Sequence, residues 1–97
     1  MTCVVLLELQ VKEEAVEGLT GGLKDIFPDT RAYDGCIDVH ASQDQDNPTT
    51  IVMVERWESR AHYEKYFAWR TERGDIENMS QALSGPPSIR YFDPIGA

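Results

Sequence analysis

The stretch "TCVVLLELQV", residues 2–11, alternates with period two. Cys3, Val5, Leu7, Leu9 and Val11 fall on one face, and Val4, Leu6, Glu8 and Gln10 on the other, which predicts a strand with one wholly apolar side. The period then lengthens. In "KEEAVEGLTGGLKDIF" the residues Val16, Leu19, Leu23 and Ile26/Phe27 recur at helical spacing, and the leading glutamates suit the positive end of a helix dipole. Gly18, Gly21 and Gly22 each cost roughly 1 kcal/mol relative to Ala inside a helix, which implies a loosely held helix or a close backbone approach. Pro28 is expected to stop this helix. "PDTRAYDG" then reads as a turn into a second strand over residues 36–42.

"QDQDNPTT" is a polar hairpin connection, and a third strand follows over residues 50–58. It sets Ile51, Met53, Glu55 and Trp57 on one face and Val52 and Val54 on the other. Ser59 stands where an N-cap belongs, before a second helix through "RAHYEKYFAWRTER" that Gly74 is placed to end. "DIENMSQAL" reads as a short helical turn carrying Ile76, Met79 and Leu83 inward, "SGPP" breaks the chain, and "SIRYFD" supplies a fourth strand. The order β-α-β-β-α-β is the ferredoxin-like split unit, an α+β fold with both helices on one face of a four-stranded antiparallel sheet. One domain is expected over residues 1–97. Because strand three is apolar on both sides, the face without helices also wants a cover, and a second copy of the sheet would supply it. A homodimer through the sheet faces, a dimeric α+β barrel, is the expected assembly.

Size and charge sharpen this picture. A chain of 97 residues buries only about 60 to 65 per cent of its unfolded surface when it folds alone, so further burial between copies is favourable. A formal net charge of −8 repels phosphate backbones and anionic lipid, which argues against nucleic-acid and membrane partners. "MTCVVLLELQ" has no basic region or small-residue cleavage site, so it is read as a strand and not a signal peptide, and the expected location is cytoplasmic. Cys3 and Cys36 are then expected to stay reduced. His40, His62, Cys3 and Cys36 are not spaced as metal ligands on any one element, and "GLTGG" lies inside a helix rather than after a strand. No metal and no cofactor are expected.

The segments "RAYDGCIDV", the "DNP" hairpin and "IVMVERWESRAHYEKYFAWR" resemble the antibiotic biosynthesis monooxygenase (ABM) domain family over nearly the whole chain. The resemblance implies ferredoxin-like monomers paired sheet to sheet. It also implies a choice among cofactor-independent oxygenases of aromatic polyketides, haem-degrading enzymes and small-metabolite isomerases. Trp57 matches the Trp that ends strand three in the family. The haem-degrading members carry an Asn on strand one and a His late in helix two; here strand one has no Asn and the His position is Tyr66, which disfavours haem degradation. The resemblance thus implies a pocket between sheet and helices with Trp57, Tyr66 and His62 as catalytic residues and Tyr63, Trp69 and Arg90 binding a small aromatic substrate. Once deprotonated, an electron-rich phenol or anthrone can pass an electron to oxygen without flavin or metal. Tyr66 would hydrogen-bond a ligand oxygen while His62 takes the proton. The alternative is a non-catalytic or isomerase-type dimeric barrel that binds a small metabolite. Glu55 stays open between two roles: a carboxylate on an apolar face must be paired, hydrogen-bonded or protonated, and it either accepts bonds from backbone or an Arg, or serves chemistry.

Overall fold

The period-two stretches become strands and the helical-period stretches become helices, in the order β1 (Cys3–Gln10), α1 (Val16–Ala32), β2 (Cys36–Gln43), β3 (Thr50–Trp57), α2 (Arg60–Glu72), α3 (Asp75–Ser80) and β4 (Ser88–Phe92). A single 3-10 turn, Glu13–Ala15, precedes α1 and holds the leading glutamates. This computed structural model describes residues 2–97; Met1, with which the expected single domain begins, lies outside the described residues. The four strands form one antiparallel sheet in the order β2-β3-β1-β4. The sheet, with helices on one face, is the ferredoxin-like α+β arrangement.

Burial follows the alternation residue by residue. Cys3, Val5, Leu7 and Leu9 of β1 and Ile51, Met53, Glu55 and Trp57 of β3 are buried beneath the helices, while the residues between them are half-buried or exposed. Two clusters form there. Leu7, Leu9, Val39, Ile51 and Met53 pack with Leu23 and Phe27 of α1, and Cys3, Val5 and Trp57 pack with Tyr63 and Tyr66 of α2. On the other face Val54 and Phe92 stand exposed beside half-buried Val4, Leu6 and Val52, so an apolar surface does lie opposite the helices. Among the described residues no helix is long and apolar enough to cross a membrane.

Two local expectations are corrected. Pro28 does not stop α1, which continues to Ala32. Its side chain is exposed, so the missing N–H and the ring burden only the solvent side, while Thr30 beyond it is 2% exposed and bonded into the interior. The helix ends instead where Tyr33 turns extended and Gly35 takes φ +88°. Gly35 is required there twice over: an added Cβ would come within 2.6 Å of the His62 ring, and the left-handed backbone disfavours other residues. Gly18, Gly21 and Gly22, by contrast, allow no close approach. An added Cβ at each would meet nothing within 4 Å.

Candidate functional site

The site is built on the helix-facing side of β3. Residues two apart on a strand share a face, so the indole of Trp57 lies beside the carboxyl of Glu55, and its Nε1–H donates to Glu55 Oε1 at 3.0 Å. Trp57 is fully buried, and Glu55 is 4% exposed between Val5 and Val39 of the neighbouring strands. Among the described residues no arginine pairs with Glu55. Burial pushes its carboxyl up to about 7, and the Trp57 bond only partly offsets that. One carboxyl oxygen is committed to Trp57; among the described residues the other accepts no hydrogen bond, and Glu55 forms part of the wall of a partly open cavity of about 60 Å³.

The opposite wall is a polar network between α1 and α2. Tyr66 is buried, and its hydroxyl accepts from Arg70 Nε at 2.9 Å and lies 2.7 Å from Thr30 Oγ1. Arg70 is itself 2% exposed and wholly engaged, donating also to Thr30 Oγ1, the Ile26 carbonyl and Asp75. Burial raises the Tyr66 phenol above its ordinary value, although the Thr30 and Arg70 bonds pull it down. Tyr63 completes the lining, and burial first, then the nearby Glu55, keeps its phenol protonated. The remaining walls are apolar, with Leu7, Met53, Phe67 and Met79 among them. The cavity therefore holds one carboxyl whose pKa burial pushes up to about 7 and one phenol fixed by a buried cation, in largely apolar surroundings.

The structure brings together three of the six residues expected at the site. Trp57 and Tyr66 stack with ring centroids 4.9 Å apart, and Tyr63 meets Trp57 at 5.7 Å. The other three do not line the cavity. His62 does not face Trp57 across a cleft; its Nδ1 sits 2.6 Å from Ser59 Oγ, and its Nε2 turns outward to within 4.0 Å of Asp34. Its position in the first turn of α2, one turn before Tyr66, places it over the Gly35 turn and not over the sheet. Trp69 packs on Tyr66 at 6.1 Å and on Tyr33 at 5.1 Å, but beside Arg73 it lines a surface hollow and not the cavity. Arg90 stands opposite Leu6 on the face of the sheet without helices, with its guanidinium 5.7 Å from the Phe92 ring.

Glu55 was visible in sequence as a carboxylate on an apolar face. Arg70 and Thr30 were missed. Arg70 carries a partial signal, being one helical turn after Tyr66, whereas nothing local marks Thr30, which reaches Tyr66 from 36 residues away. One group of possible metal ligands also escaped the spacing argument: Asp34, Glu58 and His62 come from three separate segments and have atoms within 4.8 Å of one another. Both carboxylates face solvent, where hydration satisfies them, and no ion is assigned to them.

Comparison with known proteins agrees with this architecture. The sequence profile of the antibiotic biosynthesis monooxygenase family matches residues 2–70, well over half of the chain. No curated protein matches it. Among solved structures, a conserved protein from Methanosarcina mazei Go1 superposes with a TM-score of 0.86 at 23% identity, over 95% of this chain and 91% of that one. A protein from Mycobacterium tuberculosis gives 0.80 at 21%, over 100% and 98%. A structure titled antibiotic biosynthesis monooxygenase gives 0.86 at 18%, over 96% and 98%. At these identities the likeness speaks for the fold.

Proposed function

The chain belongs to the antibiotic biosynthesis monooxygenase family, and from that premise we propose that it is a cofactor-independent monooxygenase of a small aromatic or quinone-forming metabolite, with Glu55 rather than His62 as its base. The observation that carries this reading is Glu55 in the wall of a largely apolar cavity, with one oxygen left over from the Trp57 bond and its carboxyl pushed up to about 7. A base that titrates near the working pH is both available in its charged form and strong enough to take a weakly acidic proton.

For a substrate with an activated CH₂ beside an aromatic ketone, Glu55 removes one proton and leaves a delocalised carbanion. The carbanion passes one electron to dioxygen, the resulting radical pair joins in a C–O bond, and a peroxide forms. Loss of the second C–H proton with O–O cleavage gives C=O and water. The substrate supplies all four electrons, one oxygen atom entering the product and the other leaving as water. Tyr66 donates toward the developing oxyanion, held at its post by Arg70, and Trp57 orients Glu55.

Oxygen uptake with anthrone as probe, without added flavin or metal, tests this. Uptake is expected to rise with pH through about 7, and Glu55→Gln is expected to lower it roughly 100-fold or more, within the range a positioned base supplies. Absence of uptake, or an unchanged rate in Glu55→Gln, overturns the assignment. The small volume of the cavity, about 60 Å³, favours one second reading, the isomerase-type or purely binding barrel, in which Glu55 moves or holds a proton with no oxygen consumed.

A further inference from the structure

A cavity of about 60 Å³ is far smaller than the roughly 300–1,000 Å³ of ordinary ligand pockets. A second hollow lies directly outside it. The groove between α1 and α3 measures about 360 Å³ and shares Leu23, Ile26, Asp75 and Met79 with the cavity, so one layer of side chains divides the two spaces. Of these four, Leu23 is fixed in the core, Asp75 is held by Arg70 and Arg73, and Ile26 is β-branched. Met79 is half-buried, unbranched and carried on the short α3, which makes it the side chain best able to swing aside.

The groove exists because α1 has no side chains there. Gly18 and Gly22 are one turn apart on the same helix face, both line the groove, and a Cβ at either would meet only open space. We infer that the ligand site is composite: a weakly acidic head sits in the cavity at Glu55, and an apolar extension of the same molecule lies in the α1–α3 groove over Gly18 and Gly22, with Met79 as the movable partition. This rests on the reading of Glu55 as the base. The groove walls Leu19, Leu23, Ile26 and Ala82 are apolar, and no Lys or Arg lines it among the described residues. The carboxylate of Asp75 is already neutralised. The ligand class is therefore an uncharged phenol or enolisable ketone with an unbranched apolar tail, and not a carboxylate or phosphate ester.

The test is the binding of phenol and 4-hexylphenol to the wild type, Gly22→Ala and Gly22→Leu, measured by calorimetry beside thermal melts. The wild type is expected to hold hexylphenol about tenfold or more tighter than phenol, since each buried methylene adds to affinity. Gly22→Ala serves as a folding control that leaves most of the groove open. Gly22→Leu, melting no lower than wild type, is expected to bring hexylphenol to within about twofold of phenol while leaving phenol unchanged. A tail advantage that survives in Gly22→Leu overturns the composite site. Equal binding of the two probes by the wild type also overturns it, yet leaves the Glu55 cavity standing. Failure of both probes to bind overturns the groove and the cavity together.

Discussion

Glu55 shows how one residue couples the fold to its chemistry. Its carboxyl is held in an apolar layer with a single donor, so the charged form is disfavoured and the ordinary value of 4.5 rises to about 7. The folded protein then keeps a proton that the unfolded chain releases, over the window between those values. Stability is highest below about 4.5, falls as pH rises through the window, and carries the whole cost above about 7. By linkage that cost is of order 3 kcal/mol. Glu55→Gln keeps an acceptor for Trp57 Nε1 and cannot ionise. It is expected to match the wild type at pH 4.5 and to exceed it by up to about 3 kcal/mol at pH 8, read from guanidinium midpoints at the two pH values. A variant with no gain at pH 8 would mean that Glu55 is not charged against an apolar wall. A stabilising substitution that abolishes turnover is the signature of a strained functional group.

At the scale of elements, α1 is the weakly specified one. Its apolar stripe is clear, but three glycines and an internal proline lower its intrinsic helicity, and it is held by Leu23, Phe27 and the bonds of Thr30 rather than by propensity. Gly21 is exposed, helical and faces open space. Unlike Gly18 and Gly22 it does not line the α1–α3 groove. Gly21→Ala is therefore expected to stabilise the protein by about 0.5–1 kcal/mol with no effect on probe binding, a result that a thermal melt and the phenol titration check together. The second helix is better specified: Ser59 Oγ accepts from the His62 N–H at 3.2 Å, and Gly74 at φ +83° turns the chain into α3.

At the scale of the molecule, the sheet face without helices is apolar. Val54 and Phe92 are each more than two-fifths exposed, and Val4, Leu6 and Val52 are half-buried around them. A monomer would leave this patch in water, and pairing two such sheets would bury it, with Arg90 on the same face. Light scattering at micromolar concentration is expected to give twice the 11.0 kDa mass of one chain. Val54→Lys, in the middle of the patch, is expected to shift that mass toward one chain. A monomeric mass for the wild type would remove the dimeric barrel while leaving the Glu55 site, which lies wholly within one chain, intact.

The sequence by itself determined the element order, the buried faces of β1 and β3 and the cap at Ser59, because these rest on period and on neighbours a few residues apart. It also marked Glu55 and Trp57 as a pair, since residues two apart on a strand must share a face. Only the tertiary structure decided what that pair meets. Thr30 and Arg70 reach Tyr66 from different helices, His62 turns away over Gly35, and Arg90 falls on the far side of the sheet. The continuation of α1 past Pro28 belongs to the same class, because bonds from a distant helix outweigh a local signal. Local chemistry fixes which way a side chain points along its own element. Whether a carboxyl there is charged, and whether it faces protein or a cavity, depends on packing between elements far apart in the chain.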